Sequence, residues 1–184
     1  MANPNPERRA RTRQSIIDAF WNLFEKLPLS SLKIKAITDK AGCNRSTFYE
    51  YFDSMRDLLG QAEDEIIDET CDYWREAIPI LEQDETEQLA GAFYEAYGGK
   101  FHALMGPGGD PDFLTKLSSS AIDLFMDEFG LDPTDPVSEL VITSTLGSIS
   151  TTLVHWYENG KPVTAEELAA VNRKMITQGL WSFL

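Results

Sequence analysis

Apolar residues recur along this chain at the three- and four-residue spacing of helices almost from end to end, and no segment alternates strictly as a half-buried strand would. Asn5-Pro6 supplies a cap and a first-turn proline. Ile16, Phe20, Leu23, Phe24 and Leu27 then share one face until Pro28 closes the helix. After the Leu29-Ser30-Ser31 loop, Ile34, Ile37 and Ala41 repeat on a second face, and Gly42 offers the left-handed stop. Cys43 alone separates that stop from Asn44, an N-cap, and a short helix whose Phe48 and Phe52 point inward. Ser54, with Asp57 three residues later, caps a long helix carrying Leu58, Ala62, Ile66, Tyr73 and Ala77 as far as Pro79.

Further helices are predicted from about Thr86 to Met105, Asp112 to Phe129, Asp135-Pro136 to Glu158, and Thr164 to the C-terminus through Leu168, Val171, Met175, Ile176, Leu180, Trp181 and Phe183. Gly98-Gly99 predicts a bend in the first of these, since each Gly costs about 0.8 to 1 kcal/mol relative to Ala. Gly106–Pro111 and Leu131–Pro136 are turn-rich breaks. The expected fold is all-α, with a helix-turn-helix unit at residues 1–53 and a larger helical domain at 54–184.

Charge changes the picture. The 184 residues carry a net charge of −14, which excludes a uniformly basic nucleic-acid binder. Yet residues 1–60 hold ten Lys or Arg against seven acids, so they carry +3 and the remainder −17. A polyanion would be drawn to the first segment and repelled by the rest. No uninterrupted apolar run approaches the roughly 18 to 20 residues that cross a bilayer, and the N-terminus has no apolar leader, so a cytoplasmic protein without membrane contact is expected. Cys43 and Cys71 lie in different helical regions without metal-ligand spacing, and no metal or cofactor is expected.

The chemistry concentrates between Ile34 and Phe52. Two helices joined by so few residues cross steeply, and the second can enter a major groove because Phe48 and Phe52 hold its inner side. Its outer side offers Arg45, Ser46, Thr47, Tyr49 and Glu50. Arg45 can fork onto guanine, Thr47 can set its methyl against thymine, Ser46 or Tyr49 can bond phosphate, and Glu50 can accept from cytosine or face water. The free N–H groups around Asn44 and Arg45 also favour phosphate.

The run Ile37 to Phe52, ITDKAGCNRSTFYEYF, followed by Ser54-Met55-Arg56-Asp57-Leu58-Leu59, resembles the N-terminal domain of TetR-family transcriptional regulators over roughly residues 10–60. The resemblance implies an all-helical homodimer that binds a palindromic DNA operator and is released by a small-molecule effector, as a repressor does. By position it also implies DNA contacts at Lys35, Asn44, Arg45, Ser46, Thr47, Tyr49, Glu50, Tyr51 and Arg56. Three positions depart from the family pattern: Tyr51 stands where His is usual, Met55 where a phosphate-gripping Lys is typical, and Lys33 where Thr is frequent. Arg56 is adjacent to Met55, but one residue on a helix is a rotation of about 100°.

For residues 54–184 the pattern is less specific. Trp74, Phe93, Tyr97, Phe101, His102, Phe125 and Trp156 are the candidate lining of a ligand pocket, although helical spacing alone produces aromatic stripes and most of these side chains are expected in the core. Residues 137–157 mix small side chains with Ile142, Leu146, Ile149 and Leu153, which with Met175 and Trp181 make a candidate dimer face. In the family the last two helices of each subunit pack as a four-helix bundle. No GxSxG, HExxH, GxxxxGK or GxGxxG motif is present, so no catalytic residue is assigned and an enzyme is not expected. Asn44-Arg45-Ser46 is a chance match to a glycosylation sequon. The alternative is a helical protein-interaction module without sequence-specific DNA binding.

Overall fold

The structure, a computed structural model, describes residues 6–81, 83, 85–132 and 134–183, the side chains of Trp181 and Phe183 apart. Its helices are α1 (Pro6–Phe24), α2 (Ile34–Ala41), α3 (Arg45–Tyr49), α4 (Met55–Ala77), α5 (Glu85–Met105), α6 (Phe113–Phe129), α7 (Pro136–Glu158) and α8 (Ala165–Gln178), with 3-10 turns at Leu29–Ser31, Ile78–Ile80 and Leu180–Phe183. Among the described residues there is no strand. The predicted cap at Asn5 lies outside the described residues.

Local chemistry sets the N-terminal trio. Gly42 ends α2 at φ +67, a conformation that L side chains adopt at a cost. Two residues later the Asn44 side chain accepts from the Thr47 N–H at 2.8 Å and starts α3. A five-residue helix cannot hold itself in water, because nucleation costs more than so few hydrogen bonds return. Burial supplies the difference: Phe48 and Phe52 are enclosed, their rings 5.5 Å apart, in one core with Ile16, Phe20, Ile37 and Leu58. The Ser54 hydroxyl then accepts from the Asp57 N–H at 3.1 Å, and the Asp57 carboxylate accepts from the Asp53 N–H at 2.8 Å, so α4 begins directly after the trio.

The same core continues along α4 into α5, α7 and α8 through Ile66, Phe93, Leu104, Trp156 and Leu168. A satellite cluster of Ala121, Ile142 and Leu146 joins α6 to α7. α1 and α4 are also tied by Arg13, whose guanidinium donates to Glu65 Oε1 at 2.6 Å and to Gln61 Oε1 at 2.7 Å. Arg13 is therefore a strut of the fold and not a free member of the basic N-terminus.

Four expectations are corrected. α1 stops at Phe24, so Leu27 leaves the apolar face and is exposed. α3 ends at Tyr49, and Phe52 reaches the core from the turn that follows. α5 runs unbroken through Gly98-Gly99: a Cβ at Gly98 would lie 2.8 Å from the Tyr157 ring, so this glycine serves close packing of α5 on α7 and not a bend. α8 gives way at Gly179, where φ is +74, to a 3-10 turn. In addition, α7 is long and apolar enough to cross a bilayer by length and composition, because its Ser, Thr and Gly residues dilute the apolar run only slightly. Here α7 serves as a wall, burying Ile142, Leu146, Leu153 and Trp156.

Because Phe48 anchors α3 from below, Phe48→Ala is expected to cost about 3 to 5 kcal/mol. Urea denaturation measures this. A loss under about 1 kcal/mol would mean that α3 is held by something other than its aromatic side.

Candidate nucleic-acid interface and interior cavity

With Phe48 turned in, α3 presents Arg45, Ser46, Tyr49 and Glu50 to solvent and leaves Thr47 half-buried. Arg45 lies over the Tyr49 ring, Cζ 5.5 Å from its centroid, and donates to the Tyr49 hydroxyl at 3.0 Å. The pair sits one turn apart, which stiffens a long cation without burying it. Ser46 donates to the Asn44 side-chain oxygen at 2.5 Å, so Ser46 and Asn44 share the work of the cap. Tyr51 is half-buried, with Arg9 of α1 over its ring at 5.7 Å, which brings a second guanidinium beside α3. Lys35 on α2 and Arg56 on the first turn of α4 are exposed. Between α1 and the α2–α3 turn runs a groove lined by Arg8, Thr12, Gly42, Cys43, Asn44 and Thr47.

The second feature is a cavity of about 350 Å³ enclosed by α4 to α8. Of the sequence candidates, Trp74, Phe93, Phe101 and Phe125 line it. Three others do not. Tyr97 faces outward and donates to Glu69 Oε2 at 2.8 Å, with Lys100 over its ring. His102 stacks on Tyr157 with centroids 5.2 Å apart. Trp156 is a core residue whose Nε1 donates to the Val163 carbonyl at 2.8 Å.

The dimer candidates are corrected as well. Ile142, Leu146 and Leu153 are buried inside the protomer, and with Ile149 they line this cavity. Their stripe is turned inward by the partner helices α5 and α6, which periodicity on α7 alone cannot reveal. The face that α7 leaves outside carries Val137 (62% exposed), Leu140 (65%) and Val141 (59%), continued by Ser144, Ser148 and Thr151. Met175 is half-buried, and the side chain of Trp181 lies outside the described residues.

Spacing did not single out Tyr73, Leu117, Phe129, Ser150 or Asn172 as cavity residues, whereas Tyr94, one of the aromatics on α5 that the helical pattern marks, does line it. Asn172 carried a usable signal, a polar residue between Leu168-Ala169 and Met175 on an otherwise apolar stripe. Its Nδ2 donates to the Tyr94 hydroxyl at 3.0 Å, and both residues are buried. Glu63 carried the same signal among Leu59, Ala62, Ile66 and Ile67.

Glu63 is fully enclosed on α4, where its Oε2 accepts from Lys116 Nζ of α6. Its Oε1 is buried without a partner. Lys116 also reaches Asp110 Oδ2, 3.4 Å away, in the loop between α5 and α6. The cluster thus pins α4, α6 and that loop together. Burial is the larger influence on Glu63 and pushes its pKa from 4.5 up to about 7, in spite of the opposing attraction of Lys116. The same loop meets the N-terminal trio, since the Leu29 N–H donates to the Gly108 carbonyl at 2.9 Å.

A short helix pinned by aromatics, joined steeply to its predecessor and turning cations and hydroxyls outward, defines a helix-turn-helix protein. Residues 16–62 match the family described as bacterial regulatory proteins, tetR family. The match is to that family's N-terminal domain. The chain's fold is similar to that of the fatty acid degradation regulator FadR from Bacillus halodurans, at 15% identity and TM-score 0.68 over 97% of this chain and 98% of that one. A tetR-family transcriptional regulator from Streptomyces coelicolor gives 22% and 0.68 over 94% and 80%. The transcriptional regulator FadR from Bacillus subtilis, solved in complex with stearoyl-CoA, gives 14% and 0.67 over 91% and 98%. Comparison with curated protein sequences found no match.

The raised pKa of Glu63 has a stability consequence. Between pH 4.5 and about 7 the folded chain retains a proton that the unfolded chain has released, so this group's contribution falls as pH rises through that window. The fall is expected to reach up to about 3 kcal/mol, and Glu63→Gln is expected to flatten it. Urea midpoints taken across the window test this; an unchanged slope in Glu63→Gln would reject Glu63 as its source.

Proposed function

We propose that this chain is a ligand-responsive transcriptional regulator, a repressor rather than an enzyme, that binds a palindromic DNA operator as a cytoplasmic homodimer and is released by a small molecule. The observation carrying this reading is α3: its aromatic side is locked in the core while Arg45, Ser46, Thr47, Tyr49 and Glu50 are left toward a groove. Arg45 is the base-reading residue. Lys35, Tyr51 and Arg56 support it from the flanking elements, with Arg8 and Arg9 on backbone phosphates, and Asn44 acts through the cap. The division of labour is a DNA-binding domain over 1–53 and an effector and dimerisation domain over 54–184.

The homodimer is assigned to the outward stripe of α7, where Val137, Leu140 and Val141 have no cover and small residues follow that let a second backbone approach. Two-fold symmetry would set the α3 helices about 34 to 36 Å apart, one turn of duplex.

For release, the cavity supplies the effector site. One of the similar structures holds stearoyl-CoA, and apolar walls of the kind found here suit a lipophilic body. Leu117 at the cavity wall adjoins Lys116, which grips Glu63 of α4 and Asp110 of the loop that touches Leu29. An occupant that shifts α6 therefore pulls on both α4 and the turn before α2. Release follows to the extent that the effector binds the shifted conformation better than the DNA-competent one.

Selection of bound sequences from a random duplex pool is expected to return a palindrome. On it, Arg45→Ala is expected to lose about 1 to 3 kcal/mol of discrimination at one base pair per half-site. Removing the charges of Arg8, Arg9 and Arg11 should weaken all duplexes alike and lower the salt dependence. Equal losses on specific and random duplexes for Arg45→Ala would reject its base-reading role, and no salt-sensitive complex at all would favour a protein-interaction module.

A further inference from the structure

We propose that the cavity takes an uncharged lipophile bearing a hydrogen-bonding group and discriminates against carboxylates, phosphorylated carriers and lipophilic cations. This rests on the reading of the cavity as the effector site and names the chemistry of its occupant.

The polar inventory of the walls decides the class. The one charged residue among the described lining is Arg173, and its Nε donates at 2.9 Å to Glu87 Oε1, which Nη2 also reaches. That cation is already neutralised, and an anionic ligand would have to compete with a carboxylate of the protein itself. The hydroxyls of Thr70 and Thr86 donate to the carbonyls of Ile66 and Ile80. What is left for a ligand is uncharged: the Tyr94 oxygen accepts from Asn172, which leaves the phenolic O–H to donate, and Tyr73, Trp74 and Ser150 add further neutral polar groups to the lining. Burial raises the Tyr94 pKa, so the phenol stays neutral. The lining thus offers neutral hydrogen-bonding groups and no unpaired charge, and a charge brought inside would be buried without a partner.

The mouth points the same way against anions. Phe129, Val141 and Ile176 are the exposed lining residues, and they stand where α6 ends, α7 begins and α8 ends. Residues 117–160, which build two of those three sides, contain seven acids and no Lys or Arg. Asp127 and Glu128 precede Phe129, and Glu139 lies two residues before Val141. Such a rim repels a multiply phosphorylated carrier before it can dock. A lipophilic cation would cross the rim, but inside it would find no carboxylate to pair with, since Glu87 is already held by Arg173. The volume of about 350 Å³ lies at the small end of ligand sites, which run from roughly 300 to 1,000 Å³.

The test uses the full-length protein and the uncharged dye N-phenyl-naphthylamine, whose fluorescence rises in apolar surroundings. Dodecanol, dodecanoate, lauroyl-CoA and dodecyltrimethylammonium then compete for the site below their micellar concentrations. Dodecanol is expected to displace the dye at a concentration at least about tenfold lower than any charged analogue, the cost of an unpaired charge in an apolar site. Ile149→Trp, which fills the cavity, should abolish dye uptake with an unchanged circular dichroism spectrum; Thr145→Phe at the wall is the second filling variant should the first not fold. Displacement by dodecanoate, lauroyl-CoA or the ammonium compound as good as that by dodecanol overturns the proposal, as does failure of the dye to bind or its undiminished binding to a folded filled variant. Operator affinity measured with dodecanol bound separates the two readings: dye displacement without any change in DNA affinity keeps the occupant class and rejects the switch.

Discussion

The burial of two phenylalanines beneath α3 is the interaction on which the remaining structure depends. Five residues form too short a helix to exist alone, and nothing on its solvent side would select one orientation over another. Enclosing Phe48 and Phe52 against α1, α2 and the start of α4 fixes both the existence of α3 and the direction its outer side faces. Gly42 and Asn44 then confine the turn, and Arg45 can be long and exposed while still held at one end by Tyr49. Rigidity below and polarity above are thus two results of the same packing.

The pin around Glu63 works on a different principle. A carboxylate fully enclosed beside Lys116, with one oxygen unpartnered, is a poor source of stability, since burial outweighs the attraction of the lysine. What it supplies is connection: one side chain of α4 meets α6 and the loop that bonds the turn before α2. Arg13 performs the complementary task at the same level of the helix, joining α1 to α4 through Glu65 and Gln61, which flank Glu63. α4 is thereby tied within one stretch to both α1 and α6 by polar contacts that are easier to rearrange than the apolar core around them.

How much of this was legible in the sequence depended on whether the signal was local. Caps and stops are local chemistry, so Gly42, Asn44, Ser54 and Thr164 marked helix ends that the structure reproduces closely. The inward side of α3 was legible for the same reason, because Phe48 lies between polar residues. The cavity was legible only in part. Phe93 and Tyr97 sit one turn apart on α5 and read alike, yet one lines the cavity and the other bonds Glu69 on the outside. That difference is set by which helices pack against α5, and no pattern within α5 contains it. α7 shows the limit most clearly: its apolar residues surround the helix, so the inner row of Ile142, Leu146 and Leu153 could be told from the outer row of Val137, Leu140 and Val141 only once α5 and α6 were in place. Gly98-Gly99 misled for a related reason, since the ring of Tyr157 that makes a small residue necessary comes from a distant part of the chain.

The uneven charge connects these parts. Residues 1–60 carry +3 and the remaining 124 carry −17, so a polyanion meets attraction on one end of the molecule and repulsion on the other. At the proposed DNA interface this would orient α3 before any base is touched. On the cavity side the same acidity surrounds the mouth at Phe129 and Val141, where residues 117–160 offer no cation. One charge distribution would therefore sort the two proposed kinds of partner: polyanions toward α3, and away from an interior whose guanidinium among the described lining is already bound to Glu87. On the proposed reading, an interior that is apolar, neutral and screened in this way takes molecules that differ in charge from the DNA proposed for the other end, so the two sites need not compete for one chemistry.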